Sequence, residues 1–147
     1  MSMLPKSILQ SRALSAALGL AGQALISGPA ASMTYNPHGL AAADIARVTE
    51  VCERVLRVRP GDLHFYSCID SLSHSLRSDG RSAGGAPMSA EAPGGAASYY
   101  AASSKVAIRR EQIACAAVGF EESAPGFTAC VADLGESLRA ADDPPIT

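Results

Sequence analysis

Four cysteines are the residues of this 147-residue chain best suited to chemistry. They fall into two pairs along the chain, Cys52 with Cys68 and Cys115 with Cys130. Cysteines bind zinc as thiolates, act in thiol redox reactions when they are accessible and of low pKa, or form structural disulfides. No tight Cys-x-x-Cys spacing of the kind found at zinc sites is present. The choice among these chemistries therefore depends on the elements that carry the cysteines.

The three histidines give only a weak metal signal. His64 lies four residues before Cys68 and could share a helix face with it, joining Cys52 and one further ligand at zinc. His74 points away from that face, and the second cysteine pair has no histidine in the matching positions. His38 lies in the turn-like stretch YNPHG, where simple exposure explains it. We therefore expect no metal and no other cofactor.

No catalytic constellation stands out either. A serine nucleophile needs a positioned base, and the chain contains no Gly-x-Ser-x-Gly elbow. The acidic pairs Glu121–Glu122 and Asp142–Asp143 lie in a predicted loop and a predicted tail, where solvated charge is the usual explanation. The stretch GGAPMSAEAPGG has the composition of a linker and does not follow a strand as a phosphate loop does. We therefore expect a protein without enzymatic activity.

Composition excludes several classes of protein. Twelve basic against fourteen acidic residues give a net charge of −2, which argues against a nucleic-acid binder. Aromatic residues make up only 5% of the chain, too few for a platform that stacks single-stranded bases. No apolar run reaches the roughly 18 to 20 residues of a membrane-spanning helix. Much of the hydrophobic content of 48% is alanine, so we expect a thin core for which the cysteines compensate.

An internal match is the strongest organisational feature of the sequence. Residues 65–77 (FYSCIDSLSHSLR) and 127–139 (FTACVADLGESLR) are identical at six of thirteen positions, and Ile69 matches Val131 conservatively. Each copy has a Pro-Gly pair and a further cysteine upstream. Apolar residues recur at helical spacing, and turn signals separate the helices of each pair. The pattern predicts an all-α fold of two antiparallel helical hairpins, with helices near 40–58, 62–77, 99–118 and 124–140.

The hairpin geometry predicts how the cysteines pair. Within each hairpin both cysteines lie about eight residues from the bend, roughly 12 Å along a helix at 1.5 Å per residue. Partners at one level on facing apolar surfaces satisfy the geometry of a disulfide. We therefore predict Cys52–Cys68 and Cys115–Cys130 bonds, each contributing on the order of 3 kcal/mol. Four reduced, buried cysteines in a cytosolic helical protein are the alternative.

The amino-terminal region has the pattern of a targeting segment. Residues 1–43 contain no acidic residue, and Lys6 and Arg12 precede the apolar stretch 13–27 and the small residues of GPAAS. This order is typical of a secretory signal peptide. An ordinary amphipathic helix, a transit-like leader, or sequence upstream of a start at Met33 are the alternatives.

These features together predict the domain organisation. We expect a leader over 1–31, a first stapled hairpin over 32–77, a flexible linker over 78–98, a second stapled hairpin over 99–140 and a disordered tail over 141–147. The linker is rich in small residues and offers little to bury, so the two hairpins are either separate modules or a loose four-helix bundle.

The stretch CAAVGFEESAPGFTACVADL resembles a motif found in small secreted proteobacterial proteins of uncharacterised activity. The residues that carry the resemblance are Cys115, Gly119, Phe120, Pro125, Gly126, Phe127, Cys130 and Leu134. The first copy keeps Cys52, Pro60, Gly61, Phe65, Cys68 and Leu72 but lacks the Gly-Phe pair. The resemblance implies secretion and a stapled hairpin, and it carries no activity. The likeness to the twin-cysteine hairpins of mitochondrial import factors is architectural only, because those have two cysteines per helix and this chain has one.

The sequence thus predicts a periplasmic or secreted interaction or structural module that presents a rigid helical face to a protein partner of unknown identity. A thiol redox or metal-binding protein using the paired cysteines is the alternative function, and the cytoplasm is the alternative location. Arg77 and Arg139 near the ends of two helices, with Tyr99 and Tyr100 at the start of another, are the candidate partner contacts. Interaction with helix carboxyl ends and ordinary packing are the simpler explanations for these four residues.

Overall fold

A computed structural model describes residues 35–84 and 92–143, and within these ranges the protein is all-helical with no strand. The elements are α1 (Ala42–Val51), one π-helical turn (Cys52–Leu56), α2 (Leu63–Ser78), α3 (Ser104–Ala117) and α4 (Pro125–Asp142). The all-α prediction is confirmed. The predicted leader lies outside the described residues, and so do residues 144–147 of the predicted tail. α4 continues two residues beyond the predicted end at 140.

One hydrophobic core joins the two helix pairs. α2 packs most extensively against α4, α4 also packs against α3, and the π-helical turn packs against α3. The apolar stripes recognised in the sequence face this core: Phe65, Cys68, Ile69, Leu72 and Leu76 of α2, and Phe127, Cys130, Leu134 and Leu138 of α4 are all buried. The two helix pairs are therefore not separate modules, because α2 and α4 bury their apolar stripes against each other.

α3 begins five residues later than predicted. The sequence indicated a start at 99, but Tyr99 is buried and its hydroxyl donates to the Glu111 carboxylate at 2.6 Å. Arg110 reaches back in the same direction and donates to the carbonyls of Pro93 (2.7 Å) and Ala97 (2.9 Å). These contacts hold the chain before Ser104 against α3. If the helix began at Tyr99, the same residues would extend away from α3 along its axis.

The segment expected to be a flexible linker makes specific contacts in both of its described parts. At its start, Arg81 donates to the carbonyl of Gly119 at 3.1 Å, and the Ala83 amide donates to Asp44 at 3.0 Å. At its end, Ala92 is buried and the carbonyls of Pro93, Gly95 and Ala97 accept hydrogen bonds from Arg110. Small residues contribute backbone rather than side chains to these contacts, so hydrophobic patterning does not predict them. Residues 85–91 lie outside the described ranges.

Candidate functional site

Both predicted disulfides are present. Cys52 bonds to Cys68 and Cys115 to Cys130, with Cα–Cα distances of 6.0 and 6.1 Å. All four residues are buried, with at most 1% of their surface exposed, and no cysteine is free. With Cys52 and Cys68 joined in a disulfide, neither sulfur is a thiolate, the form in which cysteine binds zinc. Two intramolecular disulfides also indicate that the protein resides in an oxidising environment.

Tyrosine and phenylalanine separate sharply between surface and core. The three phenylalanines are buried, whereas Tyr35, Tyr66 and Tyr100 are each about 40% exposed. Leu63, the first residue of α2, is 60% exposed. We call Tyr35, Leu63, Tyr66 and Tyr100 the tyrosine patch. The patch concentrates most of the exposed large apolar side chains of the described ranges at one end of one helix, and Ile108 of α3 is the remaining member of that class.

The members of the tyrosine patch adjoin one another. The rings of Tyr35 and Tyr66 meet edge to face with centroids 5.0 Å apart. Leu63 and Tyr66 are three residues apart on α2, which makes them neighbours on one helix face. Tyr100 packs edge to face on the His64 ring at 4.1 Å. Tyr100 and Leu63 also line a common groove, so Leu63 lies between the two ring pairs at the start of α2.

An open groove of about 490 Å³ lies where the start of α2 meets the end of α4. Leu63, His64, Tyr100 and Asp142 are among the residues that line it. His64 Nε2 and Asp142 Oδ1 are 2.7 Å apart, a contact that links the two helices. The pKa of Tyr100 is raised, first by partial burial and then by the negative charges of Asp62 and Asp142. The groove therefore combines an apolar wall with an acidic rim.

The segment before α1 runs along the outer face of α2 and contacts it. His38 Nε2 lies 3.0 Å from Asp70 Oδ1, and the His38 carbonyl accepts a hydrogen bond from Arg77 at 2.7 Å. Asn36 closes the turn, since its side chain both donates to and accepts from the Leu40 backbone at 2.9 Å. Leu63 and Tyr66 are the large apolar side chains of α2 that stay exposed beside this segment.

The four predicted partner contacts have different environments. Arg77 is exposed and donates a hydrogen bond to the His38 carbonyl, which holds the segment before α1 on α2. Tyr99 is buried, and burial followed by its hydrogen bond to Glu111 raises its pKa, so it has the packing role. Arg139 is exposed on α4, next to Gly135 and Glu111. Tyr100 alone of the four belongs to the tyrosine patch.

Sequence reasoning missed Tyr35, Leu63 and Tyr66. A signal for two of them was available, because Leu63 and Tyr66 fall off the apolar stripe of α2 and are large apolar residues on its wet side. Tyr35 carries no such signal, since it precedes the first helix and only the fold places it against Tyr66.

The histidines do not form a metal centre within the described ranges. His38 and His74 have ring centroids 5.4 Å apart, with Asp70 beside His38. No group of three histidine, cysteine or carboxylate residues in residues 35–84 and 92–143 has the arrangement of a metal site. The contacts of His38 and His64 with carboxylates connect chain segments instead.

Comparisons of the chain with protein-family models, with curated proteins and with solved structures found no match. The described part of the chain is an all-α protein in which each of two helix pairs is linked by a buried disulfide. None of the helices in the described part of the chain has the length and apolar character needed to cross a membrane.

Proposed function

We propose that the protein is an exported, non-enzymatic interaction module that binds a protein partner through the tyrosine patch. The observation that carries the proposal is the placement of the aromatic residues. A chain with only four tyrosines and three phenylalanines buries every phenylalanine and leaves three tyrosines exposed beside Leu63 at one end of α2. Large exposed side chains that adjoin one another are typical of binding surfaces.

Tyrosine suits this role for physical reasons. It contributes a large contact area and a hydroxyl while losing the freedom of only two side-chain torsions on binding. Protein interfaces are accordingly enriched in tyrosine, and a few such residues carry most of the binding energy. The Tyr35–Tyr66 and His64–Tyr100 contacts hold these rings in place before any partner arrives. That order lowers the entropy lost on association.

The disulfides support a structural role and an exported location. Each bond ties together two helices whose contacts position the patch, and its sulfur atoms are closed to attack by an external thiolate. Redox-active disulfides need an accessible, activated cysteine. We therefore favour the periplasm or the extracellular space, where disulfides persist. Intact-mass measurement on protein from native cell fractions tests the location: retention of both disulfides, about two hydrogens lost per bond, is expected in the exported fraction, and reduced cytosolic protein would contradict it.

Site-specific crosslinking tests the binding surface. A photoreactive phenylalanine analogue replaces Tyr66 or Tyr100, and Ile108 serves as the matched control because it is exposed to a similar degree on α3. We expect Tyr66 and Tyr100 positions to crosslink the same partner in native cells, and Ile108 not to. Tyr66→Ser should abolish the crosslink from position 100. Equal yields at all three positions would contradict the proposal.

A further inference from the structure

We propose that Arg57 and Arg59 form a binding site for a small oxyanion, a carboxylate or a phosphate, in the groove between the first interhelical turn and the segment 92–98. The groove has a volume of about 510 Å³, within the range of small-molecule sites. Glu53, Arg57 and Arg59 line one side, and Ala96 and Ser98 line the other. This site is independent of the proposed protein partner, because anion binding can be measured on the purified protein alone.

The backbone at Arg57 marks this position as unusual. Counting back eleven residues from the second cysteine of each pair leads to Arg57 in the first copy and Gly119 in the second. Both have positive φ, 58° and 104°, and end the preceding helical segment. Glycine adopts this conformation freely and arginine does not. Arg57 is the sole non-glycine residue with positive φ in the described ranges, so its side chain stands where backbone geometry favours glycine.

The extra residue of the first copy lies in the same place. The cysteines are separated by 16 residues in the first pair and by 15 in the second. The difference arises between the first cysteine and the positive-φ residue, which are five apart in one copy and four in the other. The structure accommodates the insertion as the π-helical turn Cys52–Leu56. Such turns occur frequently at functional sites.

The Arg57 guanidinium is incompletely satisfied. Its Nε is buried and has no hydrogen-bond partner. Neither Arg57 nor Arg59 forms an ion pair with a carboxylate of the described residues, although Glu53 lines the same groove. An unsatisfied buried donor on a charged group is costly. A rotation of the side chain toward an acceptor in the groove would remove this cost, and an oxyanion provides that acceptor.

A second buried guanidinium adds positive charge beside the site. Arg110 is fully buried, and its partners are the backbone carbonyls of Pro93, Gly95 and Ala97, which carry no net charge. Burial, followed by repulsion from Arg57, lowers the pKa of Arg110. A bound anion between the turn and the segment 92–98 would reduce this repulsion.

Arginine chemistry identifies the ligand class. A guanidinium presents parallel N–H groups whose spacing matches the oxygens of carboxylates and phosphates. Chloride has a single centre and offers no such match, so it serves as the control anion. The volume of the groove leaves room for an organic group attached to the oxyanion. Ala96 and Ser98 would lie against that group.

The test is a titration of the full-length, oxidised protein with inorganic phosphate or acetate at constant low ionic strength, with chloride as the control anion. We expect the Arg57 Nε–H resonance to shift saturably with phosphate, acetate or both, and not with chloride. Arg57→Gly should weaken binding of the effective anion by about tenfold or more, as expected for loss of charge-assisted hydrogen bonds. Because glycine fits the positive φ, this variant should remain folded, and Arg57→Asn provides a second variant suited to that conformation.

Two further variants separate a site from general charge effects. Arg59→Gln should weaken binding, whereas Arg109→Gln, which removes an exposed arginine of α3 outside the groove, should leave it unchanged. Glu53→Gln should strengthen binding by about threefold, since a carboxylate no longer competes. Binding by Arg57→Gly as tight as wild type, equal losses in Arg57→Gly and Arg109→Gln, or no saturable shift with either oxyanion would overturn the proposal.

Discussion

Removal of either disulfide should destabilise the fold by a calculable amount. The bonds close loops of 16 and 15 residues, Cys52–Cys68 and Cys115–Cys130. In the chain-entropy model, opening a loop of this length costs about 3 kcal/mol of stability at 25 °C, and the small difference in length changes this by less than about 0.1 kcal/mol. All four cysteines are buried, so replacement by alanine also leaves small voids. The loss of about 3 kcal/mol from loop closure is therefore a lower bound on the total destabilisation.

The two loops do not overlap in the chain, so their effects should add. Removing both bonds should then cost about 6 kcal/mol. A domain of this size has a total unfolding free energy of about 5–15 kcal/mol. We therefore expect each paired Cys→Ala variant to remain folded with reduced stability, and the quadruple variant to be largely unfolded at 37 °C.

Urea unfolding followed by far-UV circular dichroism measures the loss. With a denaturant slope of about 1–3 kcal/mol/M, each paired variant should lower the midpoint by about 1–3 M. Intact mass confirms that the remaining bond is formed. A paired variant within about 1 kcal/mol of the wild type would refute the loop-closure reasoning, and a folded quadruple variant would show that helix packing alone maintains the structure.

Three further perturbations test particular contacts. Gly119→Ala should destabilise the protein by about 2 kcal/mol in thermal unfolding, a larger loss than for Gly61→Ala. Both glycines have positive φ, but of the two only Gly119 would place a Cβ against backbone, 2.9 Å from the Gly84 oxygen. Equal losses in the two variants would contradict this. Ser73→Ala should stabilise the protein by about 1 kcal/mol, because it removes a fully buried hydroxyl that lacks a hydrogen-bond partner. Ser67 is partly exposed on the same helix, so Ser67→Ala measures the contribution of helix propensity alone. Tyr99→Phe should cost about 1–3 kcal/mol at pH 7 by leaving the Glu111 carboxylate without its donor. Since the folded pKa of Tyr99 is raised, wild-type stability should fall as pH rises above about 10, where the unfolded tyrosine ionises first, and the fall should be smaller in Tyr99→Phe.

The helix count, the helix type and the cysteine pairing could be predicted because they depend on local spacing. Apolar residues at helical intervals place Phe65, Cys68 and Leu72 on one face whatever that face later contacts. The turn signals fix where each pair bends, and the bend brings the cysteines to one level. These are consequences of 3.6 residues per turn and of a hairpin, and they require no knowledge of the partner helices.

The start of α3 and the tyrosine patch could not be predicted in the same way. Tyr99 looks like a helix-start residue, yet its hydrogen bond to Glu111 and the reach of Arg110 to distant carbonyls hold the chain outside the helix. Tyr35 joins the patch only because the segment before α1 returns along α2 through His38 and Arg77. Tertiary hydrogen bonds between residues far apart override local propensity at both places.

The sequence by itself determined four helices, the apolar stripes of α2 and α4, and two disulfides that close matching loops. The tertiary structure alone decided that the two helix pairs share a core and that the segments before α1 and α3 fold back on the helices. It also decided that Arg57 has positive φ and a buried donor without a partner. The physical reason is the range of the interactions involved. Periodicity and loop closure act between near neighbours in the chain, whereas the exposure of a tyrosine or the partners of an arginine depend on segments that meet only after folding.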